Sequence, residues 1–147
     1  MSGAFAKGTT VQAEKSRMEI EQTLMRYGAT GFAFASEGER HRVEFVAHAR
    51  RVRFDVRLPA LSSFTSWGRR SAKDRQADEV RRLWRALLLA IKAKLEVVES
   101  GMAIFEEEFM ANIVMPDGRT VGQHAMPAIT KAYESGRVVA LLPEHTA

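Results

Sequence analysis

Residues 51–57 read RVRFDVR, which places Arg51, Arg53 and Arg57 at alternate positions with Asp55 between them. On an extended strand, alternate side chains share a face about 6.6–6.8 Å apart. The stretch therefore predicts a row of guanidinium groups, with Arg42 on a neighbouring strand able to widen it. Guanidinium groups fork onto phosphate and stack on planar rings. A row at this spacing can follow a phosphate backbone. It can equally form cross-strand ion pairs on a solvated face, and Asp55 is a candidate partner.

The next chemistry lies at residues 62–75, SSFTSWGRRSAKDR. Phe64 and Trp67 stand among small hydroxyl residues, followed by Arg69, Arg70 and Lys73. Aromatic rings beside cations stack bases and hold phosphates of single strands. Ser62, Ser63, Thr65 and Ser66 add hydroxyl groups suited to phosphate. The other reading is that Phe64 and Trp67 fold back as lids on the core, and the sequence leaves both open. Further on, Arg81, Arg85 and Lys92 fall on one stripe of a helical pattern, as phosphate contacts or as a solvated edge.

Other reactive side chains give no such pattern. His41, His48, His124 and His145 make no metal spacing with each other or with carboxylates. Glu106, Glu107 and Glu108 are consecutive, so on a helix they fan apart and do not converge on one ion. Asp117 in the Pro-Asp-Gly turn lacks a nuclease-like Glu-x-Lys follower. There is no phosphate-binding loop, dinucleotide glycine fingerprint or nucleophile elbow. The expectation is a protein without catalytic residues, metal or cofactor.

The elements that position these groups follow from periodicity. Residues 1–10 read as a flexible lead. Ile20, Leu24 and Tyr27 mark one stripe of a helix over 11–27, started at Thr10 or Ser16 and stopped at Gly28. Three short strands follow, GFAFAS, RVEFVA and RVRFDVRL, the first two joined by a turn at 37–40. Short connections predict an antiparallel meander. Ser71 or Asp74 caps a long helix whose stripe runs from Val80 through Trp84, Leu88, Ile91 and Leu95 to Val98. Gly101 ends it. A shorter helix should turn Met102, Phe105 and Phe109 inward. Thr120 with Gln123 caps a last helix, which Pro127 should kink or restart and Gly136 should end. The apolar VVALLP segment is expected to dock on the body. The fold expected is α+β in the order α-β-β-β-α-α-α, one domain over 11–147. Helices back one sheet face, and the arginine face is left to solvent or a partner.

Charge is unevenly placed. Residues 40–85 hold 13 basic and 5 acidic side chains, a net of +8 within a chain of net +4. Arginine supplies 12 of those 13 cations, which favours polyanions as partners. No cysteine is present, which excludes disulfides and thiolate metal sites. No apolar run suits a signal peptide or a membrane span. The expected setting is therefore soluble, in the cytoplasm, with no membrane and no small-molecule substrate.

The stretches EKSRMEIEQTLMRYGATGFAF, LWRALLLAIKAKLEVVESGMAIFEEEF and MPDGRTVG resemble a family of short bacteriophage and prophage proteins. The resemblance covers most of the chain and implies a phage or mobile-element context, inside a bacterial host cell. It brings no established activity and no functional residues. A weaker likeness, in element order and charge alone, is to ring-forming single-strand annealing proteins, which bind DNA in a basic groove. Together these features predict a non-enzymatic protein that binds nucleic acid, single-stranded DNA being favoured, in replication or recombination, as a homo-oligomer if the ring likeness holds. The alternative is a protein-interaction module that inhibits or adapts a host complex.

Overall fold

The computed structural model describes residues 3–144, with side chains from Ala13 onward; expectations for Met1, Ser2 and His145 lie outside the described residues. Helix α1 (Gly3–Arg26) precedes strands β1 (Gly31–Glu37), β2 (Arg40–Ala47) and β3 (Arg50–Arg57). Helices α2 (Ala72–Glu99), α3 (Phe105–Glu108) and α4 (Val121–Ser135) follow. The observed order is the one the periodicity predicts. At the N-terminus the reading changes: residues 3–10, expected as a lead, belong to α1, which runs on through Thr10 and Ser16.

The sheet is an antiparallel meander in the order β1-β2-β3. Glu37 pairs with Arg40, so the first turn is only Gly38-Glu39, with Gly38 at φ 58°. The second turn is His48-Ala49, and both take positive φ, 50° and 58°. A two-residue hairpin of this kind needs left-handed backbone at both positions, which suits Asn and Gly. Non-glycine residues pay about 1–2 kcal/mol each there. The His48 ring stacks on Phe105 at 4.6 Å, which offsets part of that strain.

One sheet face carries Val43, Phe45, Val52 and Phe54, all buried against the helices. Ile20 and Leu24 meet it from α1, and Trp84, Leu88, Ile91 and Leu95 from α2. Their spacing keeps them on one stripe, and burying each stabilises the fold by about 1.5–3 kcal/mol. Phe105 and Phe109, four residues apart, stack on each other at 4.6 Å. Phe109 also meets Phe45 and Phe54 edge-on. At the opposite end of the sheet, Trp84 lies against Phe34 at 5.3 Å and His41 at 5.8 Å, with the Arg17 guanidinium 4.6 Å from the Phe34 ring centre. Burial, and then the Arg17 charge, push the His41 imidazole below its ordinary value of 6.5.

Both long helical caps are reciprocal. Ser71 Oγ accepts from the Asp74 amide at 3.1 Å, and Asp74 accepts from the Ser71 amide at 3.2 Å. Ser71 is thus the cap of α2 and Asp74 completes the box. Thr120 and Gln123 do the same for α4. Pro127 neither restarts nor ends α4. The Gln123 carbonyl, left without an amide by the proline ring, accepts from Arg119 Nη2 at 3.2 Å instead.

Two expectations about the C-terminal part are corrected. The helix expected from Met102 is a single α turn, Phe105–Glu108, followed by a 3-10 turn at Met110–Asn112. Met102 is 75% exposed rather than inward, because Gly101 turns the chain at φ 80° and Phe105 and Phe109 take the core instead. VVALLP does not dock: Val138 is 98% exposed, and Leu141 and Leu142 are exposed as well. Helix α4 buries only Ala125, so the segment beyond Gly136 has no core to rejoin.

Candidate nucleic-acid interface

The arginine face of the sheet is not open along its length. Residues 113 and 114 run beside the outer edge of β3, where the Val114 amide donates to the Arg51 carbonyl at 2.8 Å. The chain then crosses onto the polar face with the turn at 115–119. Arg53, in the middle of the ladder, is 7% exposed. It donates through Nε to Glu44 at 2.6 Å and through Nη1 to the Gly118 carbonyl at 2.7 Å. Its own carbonyl accepts from the Asn112 amide at 3.0 Å. Arg53 is therefore a clamp between sheet and turn, and the expected phosphate contact is corrected: a buried guanidinium needs its forks filled, and Glu44 and Gly118 fill them.

The rest of the ladder is split. Arg42 stands opposite Asp55 and pairs with it at 2.8 Å. Arg51 is half-exposed, 3.9 Å from the same Glu44 that holds Arg53. It lies six residues from Arg57, about 20 Å along the strand. Arg57 is exposed at the far end and makes no ion pair among the described residues. A continuous row of cations is thus reduced to its two ends.

The loop between β3 and α2 is built differently. The Pro59 carbonyl accepts from Gln76 Nε2 at 3.1 Å, and the Thr65 carbonyl accepts from Arg75 Nη1 at 2.7 Å. A 3-10 turn spans Leu61–Ser63. Trp67 and Arg70 then exchange two backbone hydrogen bonds, at 2.9 and 3.0 Å, around Gly68 and Arg69. Gly68 has φ 60°, the conformation a glycine supplies at the first central position of a tight hairpin turn. These tethers fix a projecting tip, and Trp67 on it is 80% exposed. The core-lid reading of Trp67 is excluded. Phe64 is half-buried and sits back from the tip.

The cations around the tip divide as well. Arg70 turns back to Asp78, which Arg81 also reaches. Burial works to raise the Asp78 carboxyl, but the hydrogen bonds from Arg70 and Arg81 outweigh it and hold the group below the usual carboxylate range. Arg69 and Lys73 are exposed and make no ion pair among the described residues. Arg85 is exposed too, but it lies twelve residues beyond Lys73, about 18 Å along the helix. Arg57 stands at the open end of the ladder, two residues before Pro59, where the chain leaves for the loop. Trp67, Arg69 and Lys73 belong to that loop and the start of α2, whereas Arg51 lies at the other end of β3 and Arg81 and Arg85 further along α2.

Arg40 belongs to the Arg57 end of the sheet and carries no weight in the sequence reading, where it falls in a turn. It is a strand residue directly opposite Arg57. Only the register reveals this: the Gly38-Glu39 turn makes Arg40 the first residue of β2, and the His48-Ala49 turn sets it against Arg57.

Among the described residues no group of three or more His, Asp or Glu side chains is placed to hold a metal ion. No helix among them is long and apolar enough to cross a membrane. Comparison with protein-family profiles, curated proteins and solved structures finds no match to this chain.

Proposed function

We propose that this chain is a non-enzymatic nucleic-acid-binding protein that takes single-stranded DNA at the end carrying the 64–73 loop. The observation that carries the reading is the Trp67 indole, 80% exposed on a tethered hairpin turn. An exposed indole on a rigid support offers a stacking platform to any base, at about 1–3 kcal/mol per stacked base. Arg69 and Lys73 beside it supply cations that no carboxylate of the described chain neutralises. The dipole of α2, capped by Ser71, adds positive potential at the same place. Sequence-tolerant, salt-sensitive binding follows from this chemistry. A role in phage replication or recombination, strand annealing included, rests on the sequence resemblance alone.

Titration of labelled single- and double-stranded oligonucleotides at rising salt tests the reading. Single-strand binding that weakens steeply with salt supports it; no binding at low salt overturns it.

A further inference from the structure

On the polar face of the sheet a groove of about 680 Å³ lies between the β2–β3 pair and the start of α4. Glu37, Arg40, Arg42, Asp55, Arg57 and Gln123 line it. Arg42 and Asp55 neutralise each other. Arg40 and Arg57 do not: they are directly opposite in the register, and neither makes an ion pair or a side-chain hydrogen bond among the described residues. Like charges directly opposite on antiparallel strands stand with Cβ atoms about 4.5–5.5 Å apart and destabilise the pair. At the two neighbouring positions on this face β2 and β3 set carboxylate against guanidinium, Asp55 against Arg42 and Glu44 against Arg53. The Arg40–Arg57 position departs from that rule, and it does so where the groove is.

We propose that Arg40 and Arg57 form a binding site for a phosphomonoester. A terminal phosphate carries a charge nearer −2 and three terminal oxygens, where a phosphodiester carries −1 and two non-bridging ones, so two adjacent guanidinium forks favour the monoester. The Gln123 side chain adds a donor: its Oε1 is held by the Thr120 amide at 2.8 Å, which leaves the amide nitrogen for the groove. Glu37, opposite Arg40 on β1, opposes anion binding and limits affinity. The site uses side chains distinct from Trp67, Arg69 and Lys73. It draws on the nucleic-acid reading only for one of its two sources of ligand, a strand end; the other is a free nucleotide or inorganic phosphate.

Thermal unfolding with inorganic phosphate against chloride at matched ionic strength is the test. Phosphate at roughly ten times its Kd is expected to raise the midpoint by about 3 °C. Arg40→Gln and Arg57→Gln should each abolish that rise, and each should raise the midpoint by about 1–2 °C without phosphate by removing the repulsion. Glu37→Gln should tighten phosphate binding, and Trp67→Ala should leave the shift intact even if it destroys strand binding. Tighter binding of a 5′-phosphorylated oligonucleotide than its 5′-hydroxyl twin, lost in Arg57→Gln, assigns the strand end as the source. Equal affinities together with a phosphate shift assign free phosphate or a nucleotide. No shift in the wild type, or the same shift in Arg40→Gln, overturns the site.

Discussion

The sheet face and the 64–73 loop carry comparable arginine-rich sequence, and the fold treats them in opposite ways. On the sheet face Arg53 and Arg42 meet Glu44 and Asp55 across the strands, and a turn from residues 115–119 closes over the centre. In the loop the backbone carries the tethers, so Trp67, Arg69 and Lys73 are held out without being covered. Arginine density alone therefore says little about availability. What decides it is whether carboxylates and carbonyls stand at complementary positions, and on a sheet the register sets that.

The largest expected effect comes from breaking the covered side of this contrast. Arg53→Ala leaves Glu44 and the Gly118 carbonyl without their partner, and it is expected to cost about 3 kcal/mol in denaturant unfolding. Strand affinity per folded molecule should hardly change. The open side should behave inversely. Trp67→Ala is expected to weaken single-strand binding by about tenfold, equivalent to roughly 1.4 kcal/mol of stacking, while the unfolding midpoint stays put. Arg69→Ala with Lys73→Ala should flatten the plot of log affinity against log salt by about 0.7 per residue lost from a phosphate contact. The smallest effect should come from Arg42→Ala. Its pair with Asp55 is about half exposed, so stability should fall by less than about 1 kcal/mol and binding should be unchanged. A larger binding loss in Arg42→Ala than in Arg69→Ala would reverse the comparison.

Much of the fold was legible because local signals agreed. Ile20 and Leu24, the alternation through Val52 and Phe54, and the stripe from Trp84 to Leu95 each name one buried face, and each is buried. Ser71 and Thr120 cap as their Asp and Gln partners three residues on imply. The site was less legible. Alternation showed that Arg53 lies opposite the apolar face, but not that Gly118, sixty-five residues later, would cover it. Arg40 looked like turn punctuation until the Gly38-Glu39 turn made it the first residue of β2 and the His48-Ala49 turn placed it against Arg57. Trp67 was ambiguous in composition, since aromatic loop residues pack inward or project with equal chemical reason. The backbone pairing across Gly68 resolves it. Met102 and the VVALLP segment were misread for the converse reason: apolar residues imply burial only where a surface exists to receive them.

The most direct test reads Trp67 itself. The only other tryptophan, Trp84, is buried in the core. In a Trp84→Phe variant that retains the fold, all tryptophan emission comes from Trp67. Adding single-stranded DNA at low salt should quench that emission, and raising the salt should restore it. Binding of the strand with no change in Trp67 emission would contradict the stacking platform on which the proposed function rests.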